Sequence, residues 1–219
     1  FTPEGRTSPH LLAQLDDHFY QLVNTAQRNN EFRGRHAETL LLHATGAKGP
    51  RRILLVGIGK ASDASLNKLR QAASSAVAVL KQKNISKASL SLNELLIKKT
   101  TAEQQAQAIV EGMLLANYQY LRYQNPTPDK AQPVEQIVLL AANAKTLPLL
   151  QHGANRAEAI CAGVHLARDL VNAPGNLKSP EFLAMQAVAM AEKNGIKAHL
   201  LDQARLQQLG CGALLGVAQ

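Results

Sequence analysis

Downstream of Arg168 the chain holds four carboxylates, Asp169, Glu181, Glu192 and Asp202. Gathered carboxylates can hold paired divalent ions, which activate a water and polarise a carbonyl. The spacing here does not gather them. Asp169 sits near a helix end, Glu181 and Glu192 flank one helix, and Asp202 opens another. Seven histidines, His10, His18, His36, His43, His152, His165 and His199, show no metal-binding pair and no His-Glu-x-x-His helix. Each is expected on the surface or in packing, with His165, beside Val164, an interface or packing residue. No Gly-x-Ser-x-Gly elbow supports a serine nucleophile. Val56-Gly-Ile-Gly-Lys60 lies between a strand and a helix, where backbone N–H groups can cradle a phosphate. It lacks P-loop spacing and the third glycine of a dinucleotide fingerprint, so it reads as a tight turn. Cys161 and Cys211 are too far apart for a metal spacing and are expected to be buried free thiols from a reducing compartment. Tyr118, Tyr120 and Tyr123 cluster on one expected helix. With aromatics at 4% they suggest packing rather than a base-stacking platform. No catalytic, metal-binding or substrate-binding residue is assigned.

The net charge of +8 suits anionic partners, nucleic acid among them. The cations are dispersed in short clusters, Arg51-Arg52, Lys81/Lys83/Lys87 and Lys98-Lys99, at element edges. An apolar share of 46% excludes compositional disorder and permits a sizeable core. No apolar run reaches the roughly 18 residues of a membrane span. No basic-then-apolar segment opens the chain as given.

Periodicity supplies the elements that must position these groups. Pro9 to about Gln27 reads as a helix through Leu11, Leu12, Leu15, Phe19, Leu22 and Val23. Thr39–Thr45 and Arg52–Gly57 read as an antiparallel hairpin. Ser62 is expected to cap a helix to about Lys81, with Leu66, Leu69, Ala73, Val77 and Leu80 inward. Ala88–Leu92 alternates as a strand. Thr101-Ala-Glu-Gln104 is a capping box opening a helix that ends before Pro126, with Ile109, Val110, Met113, Leu114 and Tyr120 inward. Asn125–Pro133 is a loop, Gln136–Ala141 a buried strand, and about Leu147 to Val171 a long helix. Helical crossovers between strands imply a mixed, mostly parallel sheet sandwiched between helices. Pro174-Gly175 then breaks the helix, Ser179-Pro180 restarts one, and Gly195 caps it. Ile196–Leu201 reads as a strand and Asp202–Leu209 as a short helix. The expected domains are 1–146 as an N-terminal α/β domain, 147–171 as a connecting helix, and 172–219 as the first α/β unit of a second domain.

The stretch Ala167-Arg-Asp-Leu-Val-Asn-Ala-Pro-Gly-Asn176, with Ser179-Pro-Glu-Phe-Leu-Ala184 and Leu209-Gly-Cys-Gly-Ala-Leu-Leu-Gly-Val217, resembles the leucyl aminopeptidase family. Phe32–Leu42, Arg52–Lys60 and Glu111–Tyr118 are similar to that family's macro-like N-terminal domain. The resemblance implies a cytosolic, homohexameric aminopeptidase acting on peptides with two divalent ions, Mn²⁺ or Zn²⁺. It implies that the ligands and catalytic arginine lie in Thr-Phe-Asp-Ser-Gly-Gly and Asn-Thr-Asp-Ala-Glu-Gly-Arg motifs, which this sequence lacks. The chain, opening on Phe1 and stopping after the apolar Ala213–Ala218, is therefore expected to be a piece of a longer enzyme, itself inactive and binding no metal. The competing expectation, which the charge permits, is a DNA-binding accessory module of a bifunctional bacterial aminopeptidase.

Overall fold

The structure is a computed structural model, and it describes residues 17–43, 50–92, 97–123 and 132–217. The chain divides into two compact units, Phe1–Ala167 and Arg168–Gln219.

The first unit opens with α1 (Asp17–Arg28); the Pro9–Leu15 part of the expected helix lies outside the described residues. Strands β1 (Thr39–His43) and β2 (Arg52–Val56) pair antiparallel, with Leu41 opposite Leu54. A 3₁₀ turn, Ala61–Asp63, precedes α2 (Leu66–Gln82). Strand β3 (Lys87–Leu92), helix α3 (Ala102–Asn117) and strand β4 (Gln136–Ala141) follow as a crossover unit, and β3 and β4 pair in parallel. Helix α4 (Leu147–Asn172) ends the unit and runs on into the next. The mixed α/β class stands, although the described strands form two separate pairs, one antiparallel and one parallel.

Side-chain alternation explains how β2 is enclosed. Leu54 points to a cluster built on Leu69, Val77 and Leu80 of α2 and Ile109 and Met113 of α3. Ile53 and Leu55 point the other way, to Val23 of α1 and Phe32. Period-two side chains on a strand covered from both sides give this division. Ala88, Leu90 and Leu92 of β3 and Ile137 of β4 pack on the α2–α3 cluster. Each fully buried residue such as Val77 or Ile109 contributes roughly 1.5–3 kcal/mol.

Three local expectations are corrected. Strand β4 is covered on one face only, with Val138 and Leu140 exposed, rather than buried throughout. The cap of α2 is Ser65, whose hydroxyl accepts the Lys68 N–H at 3.2 Å, not Ser62, whose hydroxyl bonds Asp63 inside the 3₁₀ turn. The cap lies directly before Leu66, the partly buried residue that opens the inward stripe. Helix α3 stops at Asn117, well before Pro126, because the Asn117 amide grips Val134 at both its N–H and its carbonyl, each at 2.8 Å. Tyr118, with ψ 134°, leaves the helix, so the three tyrosines follow α3 rather than lie on it.

The second unit holds the end of α4, a 3₁₀ turn at Gly175–Leu177, α5 (Pro180–Lys193), α6 (Gln203–Gln208) and α7 (Gly212–Val217). Ser179 caps α5 by accepting from Phe182, with Pro180 in the first turn, as the sequence predicts. Gly195 sits at φ +66° and closes the helix: its N–H reaches Glu192 O, and Ile196 N–H reaches Ala191 O. The expected strand Ile196–Leu201 is absent. It is exposed and forms no ladder, since no described strand lies in this unit to pair with it. A strand needs a partner for its backbone groups, and apolar composition alone cannot provide one.

Candidate functional site

The glycine turn after β2 is built by a loop packed against it. Gly57 N–H donates to Glu38 O, Gly59 N–H donates to Gly34 O, and Gly57 O accepts from Ala37. A Cβ on Gly57 would lie 2.0 Å from Arg35 O, and Gly59 holds φ +77° beside His36. Glycine is therefore required for close backbone approach and a left-handed turn. The amides of Gly57 and Gly59 that a phosphate needs are engaged, so the phosphate-cradle reading fails at those two positions. The loop is in turn held by Glu38, whose carboxylate accepts Arg33 N–H at 3.0 Å and Arg35 N–H at 2.8 Å. His36 contacts Gln71 Oε1 through Nε2 at 2.8 Å, which fixes the loop to α2.

A second polar cluster lies among α2, α3 and α4. Glu111 is 6% exposed. One of its oxygens accepts from Arg70 Nε and Nη2, the other from Gln107 Nε2 at 2.7 Å. Cys161 of α4 is buried beside it and its thiol approaches Glu111 O at 3.9 Å. The expectation of buried free thiols is met at Cys161 and not at the half-buried Cys211. A buried carboxylate must be paired and hydrogen-bonded to be tolerated, and this one is. The sequence reading missed Glu111. The signal was a charge within the inward face of α3, between Ile109 and Met113. Its three neighbours lie on helices rather than around an open cavity, so the cluster ties helices together and presents no acid or base to a substrate.

The remaining candidates stay apart. His152 Nδ1 lies 2.8 Å from Glu103 Oε1 in an exposed pair joining α4 to the start of α3. His165 packs its ring against Tyr118 at 5.2 Å, which agrees with a packing role. His43 and His199 are exposed; His10 lies outside the described residues. Lys81 turns its ammonium to Ala116 O at the end of α3, and burial lowers its pKa.

At the junction, Lys178 Nζ donates to Val171 O at the end of α4. Glu181 lies in the first turn of α5, where its own backbone N–H and the Ser179 hydroxyl bond its carboxylate and lower its pKa. Asp202 caps α6 by accepting Arg205 N–H at 2.8 Å. Glu192 stands exposed near the other end of α5. Among the described residues no three His, Cys, Asp or Glu side chains form a group able to hold a metal ion.

Two family descriptions match this sequence. "Cytosol aminopeptidase family, N-terminal domain" matches residues 1–127, and "Cytosol aminopeptidase family, catalytic domain" matches residues 165–219. A probable cytosol aminopeptidase of Syntrophotalea carbinolica is 36% identical over 217 residues, covering 99% of this chain and 44% of the relative. A cytosol aminopeptidase of Pseudomonas aeruginosa is 33% identical over 219 residues, covering 99% of this chain and 43% of the relative. Among solved structures, a mutant of tomato leucine aminopeptidase superposes with a TM-score of 0.76 at 26% identity, over 95% of this chain and 42% of that one. The bottromycin maturation enzyme BotP in complex with Mn gives 0.64 at 26% identity, over 84% of this chain and 36% of that one. The chain thus spans less than half the length of these relatives.

Proposed function

Since this chain belongs to the cytosol aminopeptidase family, we propose that it forms the N-terminal portion of a cytosolic leucyl aminopeptidase that hydrolyses N-terminal residues from peptides. The observation that carries this reading is the order of the two matches, an N-terminal domain followed by the start of a catalytic domain in one continuous chain. Two divalent ions, Mn²⁺ or Zn²⁺, activate the attacking water in such an enzyme. In this reading their ligands lie in the part of the catalytic domain beyond this segment, which spans less than half the length of its relatives. The Mn bound by BotP supports a metal-dependent reading. No described helix is long and apolar enough to cross a membrane.

In this reading the segment serves architecture and hexamer assembly. Residues 1–146 form the N-terminal domain, 147–171 the connecting helix, and 172–219 the beginning of the catalytic domain. The connecting role of α4 is supported by the stretch from Leu150 to Cys161, where Leu150, Gly153, Ala157 and Cys161 are buried. Gly153 lets α4 approach the Glu103 carbonyl so closely that a Cβ would lie 2.3 Å from it.

The test is the encoding gene and its full product. Translation past Gln219 should give both acidic metal-binding motifs. The full product should be a hexamer by light scattering and should release amine from leucine p-nitroanilide with Mn²⁺ or Zn²⁺. A gene lacking those motifs removes the enzyme reading. The alternative of a DNA-binding accessory module has the charge of +8 behind it. It requires a mobility shift that weakens steeply as salt rises.

A further inference from the structure

The sequence contains one Asn-Gly pair, Asn194-Gly195, and the structure places it where α5 ends. We propose that Asn194 is a site of spontaneous succinimide formation, a covalent modification that irreversibly loosens the end of α5. Asn194 is exposed, and the residues after Gly195 are exposed and unladdered. A Cβ built on Gly195 would meet nothing within 4 Å. The nucleophile, Gly195 N, therefore belongs to a residue with no side chain of its own to hinder the approach to Asn194 Cγ. Its bond to Glu192 O, at 3.2 Å, belongs to the last turn of the helix, the part that opens most readily.

The step is balanced by the chain and water alone. The Gly195 amide nitrogen loses its proton and attacks Asn194 Cγ. The Cγ–Nδ2 bond breaks, and ammonia leaves. Water then opens the five-membered imide at either carbonyl, giving aspartate or isoaspartate. No oxidation occurs.

Both products work against the observed cap. Asn194 Nδ2 donates to Met190 O at 2.7 Å. A carboxylate there loses the donor and sets a negative charge against helix carbonyls at the negative end of the helix dipole. Isoaspartate also inserts a methylene into the backbone between α5 and Gly195. That displaces both closing bonds, Gly195 N–H to Glu192 O and Ile196 N–H to Ala191 O.

The experiment incubates the full expressed protein in mildly alkaline buffer made with heavy-oxygen water, followed by peptide mapping and enzymatic methylation of isoaspartate. The expected result is faster heavy-oxygen incorporation at Asn194 than at any other asparagine, because only this one precedes a glycine. Asn194→Gln should abolish it. Hydrogen exchange of the last turn of α5 should quicken in aged wild type and in Asn194→Asp, and not in aged Asn194→Gln. Label concentrated elsewhere, such as Asn143, or an unmodified Asn194 in folded protein whose unfolded control reacts, overturns the proposal.

Discussion

Arg70 of α2 meets Glu111 of α3 through both Nε and Nη2 on a single carboxylate oxygen, at 2.8 and 2.5 Å. The acid is almost fully buried, while the guanidinium stays about one-third exposed, with side-chain exposures of 8% and 32%. The energetic risk therefore sits on the acid. Arg70→Met leaves a buried carboxylate with Gln107 as its remaining side-chain donor and should destabilise by about 2–4 kcal/mol. Arg70→Met combined with Glu111→Leu should recover most of that loss, because no buried charge remains. Urea unfolding of the two singles and the double gives the coupling. Equal stability of Arg70→Met and wild type refutes this account.

Gly112, the next residue of α3, sits against the same Arg70. A Cβ there would lie 2.1 Å from the Arg70 carbonyl oxygen. A backbone atom cannot rotate away, so α2 and α3 must separate. Gly112→Ala should cost roughly 1–3 kcal/mol or more, even though alanine favours helix. Gly163→Ala, where a Cβ meets nothing within 4 Å, is the control and should be neutral or stabilising. Thermal unfolding of the pair separates the close approach from a general intolerance of helix glycine substitution.

Ser179 should show itself through pH. The Glu181 carboxyl pKa is lowered chiefly by its own backbone N–H and further by the Ser179 hydroxyl, which donates to it and accepts Phe182 N–H. A depressed carboxyl pKa contributes stability above its unfolded value and loses it as pH falls through the folded value. Ser179→Ala should therefore raise the Glu181 titration midpoint, observed by carboxyl-carbon NMR. At neutral pH it should also destabilise α5 by about 1 kcal/mol through loss of the cap. An unmoved midpoint counts against the Ser179 bond.

The 219-residue chain by itself should release no amine from leucine p-nitroanilide, with or without Mn²⁺ or Zn²⁺. Its described acids gather no group of three able to hold a metal ion. Turnover that co-purifies with the chain and responds to metal would contradict this.

What the sequence determined is what lies within a few residues of itself. Thr101 and Gln104 form their capping box, and Ser179-Pro180 opens α5, because donor and acceptor are neighbours in any helix. The antiparallel hairpin and the inward stripe of α2 follow from strand proximity and from period. The family was legible in the junction residues for the same reason, as a contiguous string. Tertiary structure decided the rest. Gly57 and Gly59 resemble a phosphate cradle until the loop at Gly34–Glu38 takes up their amides. Glu111 looks like any helical acid until α2 brings Arg70 to it. Ile196–Leu201 has the composition of a strand, yet a strand exists only when a second one supplies its hydrogen bonds. Composition and period act along the chain, whereas an amide's partner, a carboxylate's counter-ion and a strand's ladder come from residues that only folding brings near.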